Sequence, residues 1–210
     1  MANMAAKNSA ENKQLLADEV FHHIGDRIID GRLAPGQRIR DLDVAAKLHV
    51  SRTPVREALQ RLERLGMVVM YPSRYTEVTE VSAETIAQSL AFAGYQAGVA
   101  ARLAVPRLTA AQRAHVGRLV EKMYDSLGDS VRTTNTRWAV FSYLGTHSDN
   151  AQHCVVIEDT TVALLRNLRH WKMPSEDHER MLQVYRDFRD AVLRGDGDEA
   201  ERLTRAMHYL

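Results

Sequence analysis

Cysteine, aromatic residues and long apolar runs are all scarce in this sequence of 210 residues. The single cysteine, Cys154, excludes an intrachain disulfide and is typical of a protein in a reducing cytoplasm. No run of about 18 or more apolar residues occurs, so we expect no transmembrane helix and no membrane partner. The N-terminal residues "MANMAAKNSAENKQ" lack the apolar segment of a secretion signal, which again predicts a cytoplasmic protein.

An overall excess of charge is also absent, because the net charge is only +1. The basic residues are nevertheless concentrated near the N-terminus. Between Arg32 and Arg74 there are nine lysines and arginines against four acidic residues. A local basic excess of this kind is typical of a surface that binds phosphate groups, so it indicates nucleic acid as a partner.

Apolar spacing predicts three helices within residues 13–66. Turn residues at Pro35-Gly36 separate the first helix from a short second one over Leu42–Leu48, and the third begins near Ser51. The apolar stripe of the first helix comprises Leu16, Val20, Phe21, Ile24 and Ile28. That of the third comprises Val55, Ala58, Leu59, Leu62 and Leu65.

After Gly66 the pattern changes to that of a β-hairpin. "MVVMY" favours a strand, "PSR" a turn, and "YTEVTEV" alternates as a second strand does. Three helices followed by a hairpin is the order of a winged helix-turn-helix, which we assign to residues 13–81. We expect residues 1–12, which are polar and small, to form a disordered arm.

From Ser82 onward the sequence predicts helices only. Caps and helix-breaking residues divide this part into six segments, which makes residues 82–210 an all-α bundle. The expected segments are 82–103, 109–127, 135–146, 152–170, 176–194 and 198–207. The predicted fold class is therefore mainly α, with a winged helix-turn-helix and a small β-hairpin before the bundle.

The stretch "VSRTPVREALQRLERLG" places arginines at the leading end of the third helix. In a helix-turn-helix this end of the second helix of the pair meets the base edges in the major groove. Arg52 and Arg56 project from it, and their planar forks match guanine. Arg61 and Arg64 lie further along and are expected to meet phosphates or solvent. For the arginines alone, an ordinary amphipathic helix with charge pairs is an equal alternative; the order of elements around them favours DNA.

The segment "GRLAPGQRIRDLDVAAKLHVSRTPVREALQRLERLGMV" closely resembles the N-terminal domain of GntR-family bacterial transcriptional regulators. It departs from the family pattern at Val44 and His49. The resemblance implies a dimeric, ligand-responsive repressor or activator that binds a short palindromic operator, with the wing in the minor groove. Tyr75 replaces the glycine that is usual at the wing. The close approach of the backbone to DNA that glycine allows is therefore lost. The expected DNA-binding residues are Arg40, Ser51, Arg52, Thr53, Arg56, Arg61 and Arg74.

The helical remainder resembles the FCD effector domain of the FadR subfamily, through "HSDN" and "DAVLRGDGDEA". Such domains commonly hold a divalent metal with one Asp and three His, and they dimerise and bind effectors. The positions that match those ligands are Arg137 and Phe141, or Trp138 and Ser142 with one deletion, followed by Tyr185 and Met207. His208 lies one residue beyond, about 100° around a helix. These side chains do not suit a hard metal ion, so we expect no metal and no cofactor.

The five residues Arg137, Trp138, Phe141, Tyr185 and Met207 allow two interpretations. They line an apolar effector pocket, or they fill the former metal cavity. The first predicts a repressor that senses a small metabolite without a metal; the second predicts a regulator whose filled bundle is independent of ligand. An enzyme in the bundle is disfavoured, because no spacing brings together acid, base or nucleophilic groups.

Overall fold

The computed structural model describes the backbone of residues 2–72 and 74–210, and the side chains of residues 14–72 and 74–210. The chain divides into two compact units, one ending at Val81 and the other spanning Ser82–Leu210. The predicted fold class is confirmed, since the first unit contains three helices and a small sheet and the second is helical. Within the described residues, no helix has the length and apolarity that a membrane span requires.

The first unit is built on helices α1 (Ala2–Ile29), α2 (Asp41–Leu48) and α3 (Arg52–Arg64). The sequence predicts a disordered arm over residues 1–12, whereas the backbone is helical from Ala2; Met1 lies outside the described residues. Alanine-rich sequence favours helix even without an apolar stripe. Eight of the ten residues in the predicted apolar stripes form the core, where α1 packs on α3, while Leu16 and Leu65 are half-buried. The eight buried residues are Val20, Phe21, Ile24, Ile28, Val55, Ala58, Leu59 and Leu62.

A three-stranded antiparallel sheet follows α3. Strands β2 (Val68–Tyr71) and β3 (Tyr75–Val78) form the predicted hairpin. Strand β1 (Arg38–Ile39), which the sequence did not predict, pairs with β3 and gives the order β1-β3-β2. Two residues are too few to show an alternating pattern, so this strand depends on the hairpin that it joins.

His49 ends α2 in the left-handed region, with φ of 54° and ψ of 38°. The conformation closes the turn between α2 and α3, because the His49 N–H donates to carbonyls of the preceding helical turn. A side chain with a β-carbon is strained there, which explains why glycine is usual at this position in the GntR pattern.

We expect His49→Gly to raise the local free energy of unfolding by about 0.5–1 kcal/mol, since glycine adopts positive φ without strain. Hydrogen exchange of the α2 and α3 amides measures this change. Ala46→Gly, at an exposed position within α2, is the matched control and is expected to lower the same quantity by about 1 kcal/mol. Loss of protection in both variants would contradict the assignment of strain to His49.

The second unit contains six helices: α4 (Ala83–Ala104), α5 (Ala110–Tyr124), α6 (Ser130–Thr146), α7 (Ala151–Leu168), α8 (His178–Arg194) and α9 (Gly197–Ala206). Side chains cap five of them. The start of α6 was not predicted: the sequence placed it at residue 135, whereas the helix begins at Ser130. The capping residues of α4, α5, α6, α7 and α9 are Ser82, Thr109, Asp129, Asn150 and Asp196. Each accepts a hydrogen bond from a backbone N–H of the first turn, which fixes where its helix begins.

Small residues let α4 and α9 approach closely. Ala100, Ala101 and Ala104 of α4 are fully buried, and α9 packs along them. Gly94 lies opposite His208, where an added β-carbon would stand 2.6 Å from the His208 Cβ. A glycine is therefore needed at residue 94 for His208 to lie inside the bundle.

Candidate nucleic-acid interface and bundle cavity

The leading end of α3, defined by Ser51, Arg52, Thr53 and Arg56, is exposed to solvent. The opposite face of the same turn is buried through Pro54 and Val55, so packing orients the four side chains outward. Ser51 is the N-cap residue by backbone conformation, yet its side chain makes no capping hydrogen bond. The exposed N–H groups and hydroxyls at a helix start suit phosphate oxygens.

Asp41 holds both arginines of the leading end. One carboxylate oxygen, Oδ2, lies 2.8 Å from Arg52 Nη2 and 3.9 Å from Arg56 Nε. The hydrogen bond from Arg52 is the main cause that lowers the pKa of Asp41 below its usual value. Asp41 is the first residue of α2, and no local sequence pattern links it to Arg52, eleven residues later.

The other expected DNA-binding residues differ in their surroundings. Arg40 and Arg74 are exposed, before α2 and at the hairpin tip. Arg61 is half-buried; its Nη1 donates to Asp18 Oδ1 at 2.6 Å, and its guanidinium carbon lies 4.1 Å over the Phe21 ring. The structure therefore gives Arg61 a role in packing α3 on α1, which the sequence did not indicate.

In the wing hairpin, two tyrosine rings lie next to each other where the family pattern has glycine. Tyr75 pairs with Tyr71 across the hairpin, with ring centroids 4.7 Å apart. The guanidinium carbon of Arg38, from β1, lies 3.9 Å over the Tyr75 ring. This cation–π contact holds a third arginine near the sheet edge. Sequence reasoning missed it because β1 was not predicted.

The bundle contains a partly open cavity of about 80 Å³, which we call the bundle cavity. Three of the five expected pocket residues line it, namely Arg137, Trp138 and Phe141. Tyr185 and Met207 do not; both are fully buried in the packed core between helices. The prediction of these two as lining residues is corrected, because an inward-facing position on α8 or near α9 meets neighbouring side chains rather than open space. No sequence pattern indicated Trp171, which also lines the cavity.

Arg137 is the charged residue of the cavity and is only 6% exposed. Its Nη2 donates to the Met207 carbonyl oxygen at 3.0 Å, while its Nη1 has no hydrogen-bond partner among the described residues. The guanidinium carbon lies 5.8 Å from the Trp171 ring centroid. Burial raises the pKa of Tyr185, and the positive charge of Arg137 opposes this, although no hydrogen bond of good geometry joins the two.

His208 also lines the cavity and carries a titratable side chain. It is buried, and its Nδ1 lies 2.7 Å from the Thr204 carbonyl oxygen. Burial, with the charge of Arg137 adding to it, holds the pKa of His208 well below its usual value, so the ring is neutral. Nδ1 then carries the hydrogen that Thr204 accepts, which leaves Nε2 as an acceptor. From the sequence, His208 was considered only as a metal ligand, and its position beside the cavity was not predicted.

Two family models match this chain. Residues 16–78 match the bacterial regulatory proteins of the gntR family, and residues 98–208 match the FCD domain. The chain belongs to the GntR family and carries an FCD domain. This architecture is the one that fits the FadR-like subfamily, and it makes the protein a transcriptional regulator.

Curated relatives of the GntR regulator are named as regulators of transcription. It is 31% identical over 101 residues to the "Probable D-xylose utilization operon transcriptional repressor" of Paenarthrobacter nicotinovorans, a match that covers 48% of this chain and 45% of that one. It is 23% identical to the transcriptional repressor RspR of Escherichia coli K12, over 95% of this chain and 88% of RspR. The first match thus spans less than half of the relative. These names are consistent with a role other than catalysis.

Solved structures share the fold of the GntR regulator. E. coli McbR/YncC superimposes with a TM-score of 0.68 at 24% identity, and a GntR regulator from Rhodococcus sp. RHA1 with a TM-score of 0.67 at 21% identity. Each comparison covers 92% of this chain and 93% of the other. At these sequence identities, the similarity shows a shared fold and nothing more.

The residues of the GntR regulator do not fit the metal that FCD domains commonly hold. In the match without a gap, the guanidinium of Arg137 stands at the position of the family's aspartate, and it would repel a cation; in the match with one deletion the position is Trp138, which offers no ligand. Within the described part of the chain, no three His, Cys, Asp or Glu side chains come together in a metal-binding group. That the protein holds no metal stays a prediction.

We expect untagged protein to contain no stoichiometric zinc, nickel or manganese by elemental analysis, because Arg137 places a positive charge in the cavity. We further expect a chelator to leave the unfolding temperature unchanged. One metal ion per chain that survives dialysis would contradict this prediction.

Proposed function

We propose that the GntR regulator is a homodimeric repressor that acts in the bacterial cytoplasm and binds a short palindromic operator. In this proposal the leading end of α3 lies in the major groove, and a small metabolite in the bundle cavity changes operator affinity without a metal. The observation that carries the proposal is the exposed pair of Arg52 and Arg56 at the start of α3, both of which form an ion pair with Asp41.

The chemistry of the leading end supports DNA as the partner. Two guanidinium groups within one helical turn meet adjacent bases or phosphates, and Ser51 and Thr53 supply hydroxyls beside them. Arg40 and Arg74 are exposed and extend the positive surface. We assign Arg61 an indirect part, in which it keeps α3 in place through Asp18 and Phe21.

Repression, dimerisation and ligand response have separate support. Two relatives are named as repressors. A palindromic site requires two equivalent helices, which a two-fold symmetric dimer supplies. The bundle cavity supports a ligand-responsive regulator over one with a filled bundle, since open space remains beside Arg137, Trp138 and Phe141.

Selection of binding sites from random double-stranded DNA, followed by sedimentation of the complex, tests the proposal. We expect an enriched palindrome whose half-sites are about one helical turn apart, bound by two protomers. Addition of metabolite extracts is then expected to release the selected DNA. Enrichment of no sequence, or binding by one protomer to a single asymmetric site, would refute it.

A further inference from the structure

A groove in the first unit is lined mainly by positive side chains. It is formed by residues of α1, β1 and α2, and we call it the α1–α2 groove. Four permanently charged cations line it against one acid, and within the described residues no carboxylate forms an ion pair with any of the four. The groove therefore favours a partner that brings several negative charges. Its charged and titratable lining residues are His23, Arg27, Arg38, Arg40, Asp43 and Lys47.

Helical spacing directs side chains of both helices into the groove. His23 and Arg27 are four residues apart on α1, as Asp43 and Lys47 are on α2, so each pair lies on one helix face. The groove has a volume of about 190 Å³. A site for one water needs roughly 10–15 Å³, so the groove holds roughly a dozen groups of that size. This space accommodates a phosphate group together with water molecules around it.

The α1–α2 groove adjoins the leading end of α3. Arg40 lines the groove and immediately precedes Asp41, whose carboxylate accepts a hydrogen bond from Arg52. From Asp41 to Lys47, α2 rises by about 9 Å, which is the axial length of about two to three phosphates of one DNA strand. In a helix-turn-helix pair, the first helix crosses the DNA backbone while the second lies in the major groove. Because α2 is that first helix, the groove along it is placed to meet the backbone.

His23 makes this groove sensitive to pH. Burial, followed by the charges of Arg27, Lys47 and Arg32, lowers the pKa of His23 below its usual value, and Asp26 opposes them. The ring is therefore mostly neutral at pH 7. A phosphate in the groove supplies a negative charge that stabilises the imidazolium, so the pKa of His23 rises when DNA binds. The other charged residues that line the groove or lie one turn from His23 on α1 are Glu19, Arg38, Arg40 and Asp43.

We propose that the α1–α2 groove binds the DNA backbone beside each half-site, and that His23 takes up a proton when a phosphate enters the groove. Arg27 and Lys47 neutralise phosphate charge, and the protonated His23 ring donates to a phosphate oxygen. Affinity is gained as the pH falls through the pKa that His23 has in the complex, and the gain ends below its pKa in the free protein. This inference rests on DNA as the partner in the proposed function, but it does not depend on the operator sequence.

Titration calorimetry of the full chain tests the proton uptake, with a mixed-sequence DNA duplex of about three helical turns as the probe. Measurements in two buffers of different ionisation heat count the protons taken up. We expect up to about one proton per chain near pH 7, and about 3- to 10-fold tighter binding at about pH 6 than at about pH 8. His23→Gln is expected to lose the uptake. His22→Gln, an exposed neighbour that does not line the groove, is the matched control and is expected to keep it. Uptake that is unchanged in His23→Gln would overturn the proposal.

Lys47→Gln tests the groove without disturbing the core, because Lys47 is exposed. The slope of log affinity against log salt concentration is expected to become shallower by about 0.9, the effect of one lost phosphate contact. Lys122→Gln replaces an exposed lysine of α5 with the same change in net charge, and we expect it to leave the slope unchanged. A slope in Lys47→Gln equal to that of the unmodified protein would refute the groove as a DNA contact, whether or not the His23→Gln variant folds.

The same duplex separates this inference from the proposed function. If the duplex binds without proton uptake and with no change of slope in Lys47→Gln, the groove is refuted and the DNA-binding regulator stands. If both effects are found and no palindrome is selected from random DNA, the groove stands and the operator fails. Proton uptake with poly-glutamate, and none with DNA, would assign the groove to an acidic protein and overturn the proposal.

Discussion

Arg52→Ala and Arg56→Ala are each expected to weaken specific operator binding by about 10- to 100-fold, equivalent to about 1–3 kcal/mol. Both guanidinium groups project from the leading end of α3, which we propose lies in the major groove. Binding to random DNA is expected to fall much less, because it depends on phosphate contacts spread over the surface. Fluorescence anisotropy at one fixed salt concentration measures both affinities.

Arg64→Ala is the matched control for these two variants. Arg64 is an exposed arginine of the same helix, but it lies at the last turn, away from the leading end. We expect less than about a 3-fold change in specific affinity for it, in the range of a single phosphate contact. Full specific affinity in both Arg52→Ala and Arg56→Ala would show that α3 is not the recognition helix.

Tyr185→Ala is expected to lower the free energy of unfolding of the bundle by about 3–5 kcal/mol, because a fully buried aromatic ring leaves a cavity when it is removed. Tyr185→Phe is expected to be neutral or stabilising by up to about 1 kcal/mol. Among the described residues, no partner lies in good hydrogen-bond geometry to the hydroxyl, so removing the hydroxyl removes the cost of burying it unpaired.

Urea unfolding followed by tryptophan fluorescence measures both variants, since Trp138 and Trp171 both belong to the second unit. A loss of more than about 1 kcal/mol in Tyr185→Phe would show that the hydroxyl has a partner, with Arg137 the first to consider. Tyr185 would then contact Arg137, a residue that lines the cavity, through its hydroxyl group.

Local patterns predicted the helices and the hairpin well. The apolar stripe of α3 and the helix starts near residues 82 and 109 depend on residues within a few positions of one another, and the structure places these helices as expected. Strand β1 could not be predicted in this way, because its two residues become a strand only by pairing with Glu77 and Thr76.

The candidate sites depend on contacts between residues far apart in the sequence. Arg137 meets Met207 across seventy residues, and Arg61 meets Asp18 across forty-three. Spacing within one helix carries no information on such pairs. Position matching to the family did find Arg137, Trp138 and Phe141, but it could not separate residues facing open space from Tyr185 and Met207, which face other side chains.

The contact of Asp41 with Arg52 and Arg56 has a consequence for how binding depends on salt. Free arginines attract anions and DNA phosphates attract cations, and each phosphate that a protein neutralises releases counterions into solution. In this protein the Asp41 carboxylate already accepts hydrogen bonds from Arg52 and lies 3.9 Å from Arg56 Nε, and its negative charge stays close when DNA arrives. We therefore expect a shallower dependence of operator affinity on salt concentration than the number of arginines suggests, and a steeper one once Asp41 is replaced by asparagine. The acid reduces the attraction to any DNA, so that a larger share of the binding energy comes from the bases.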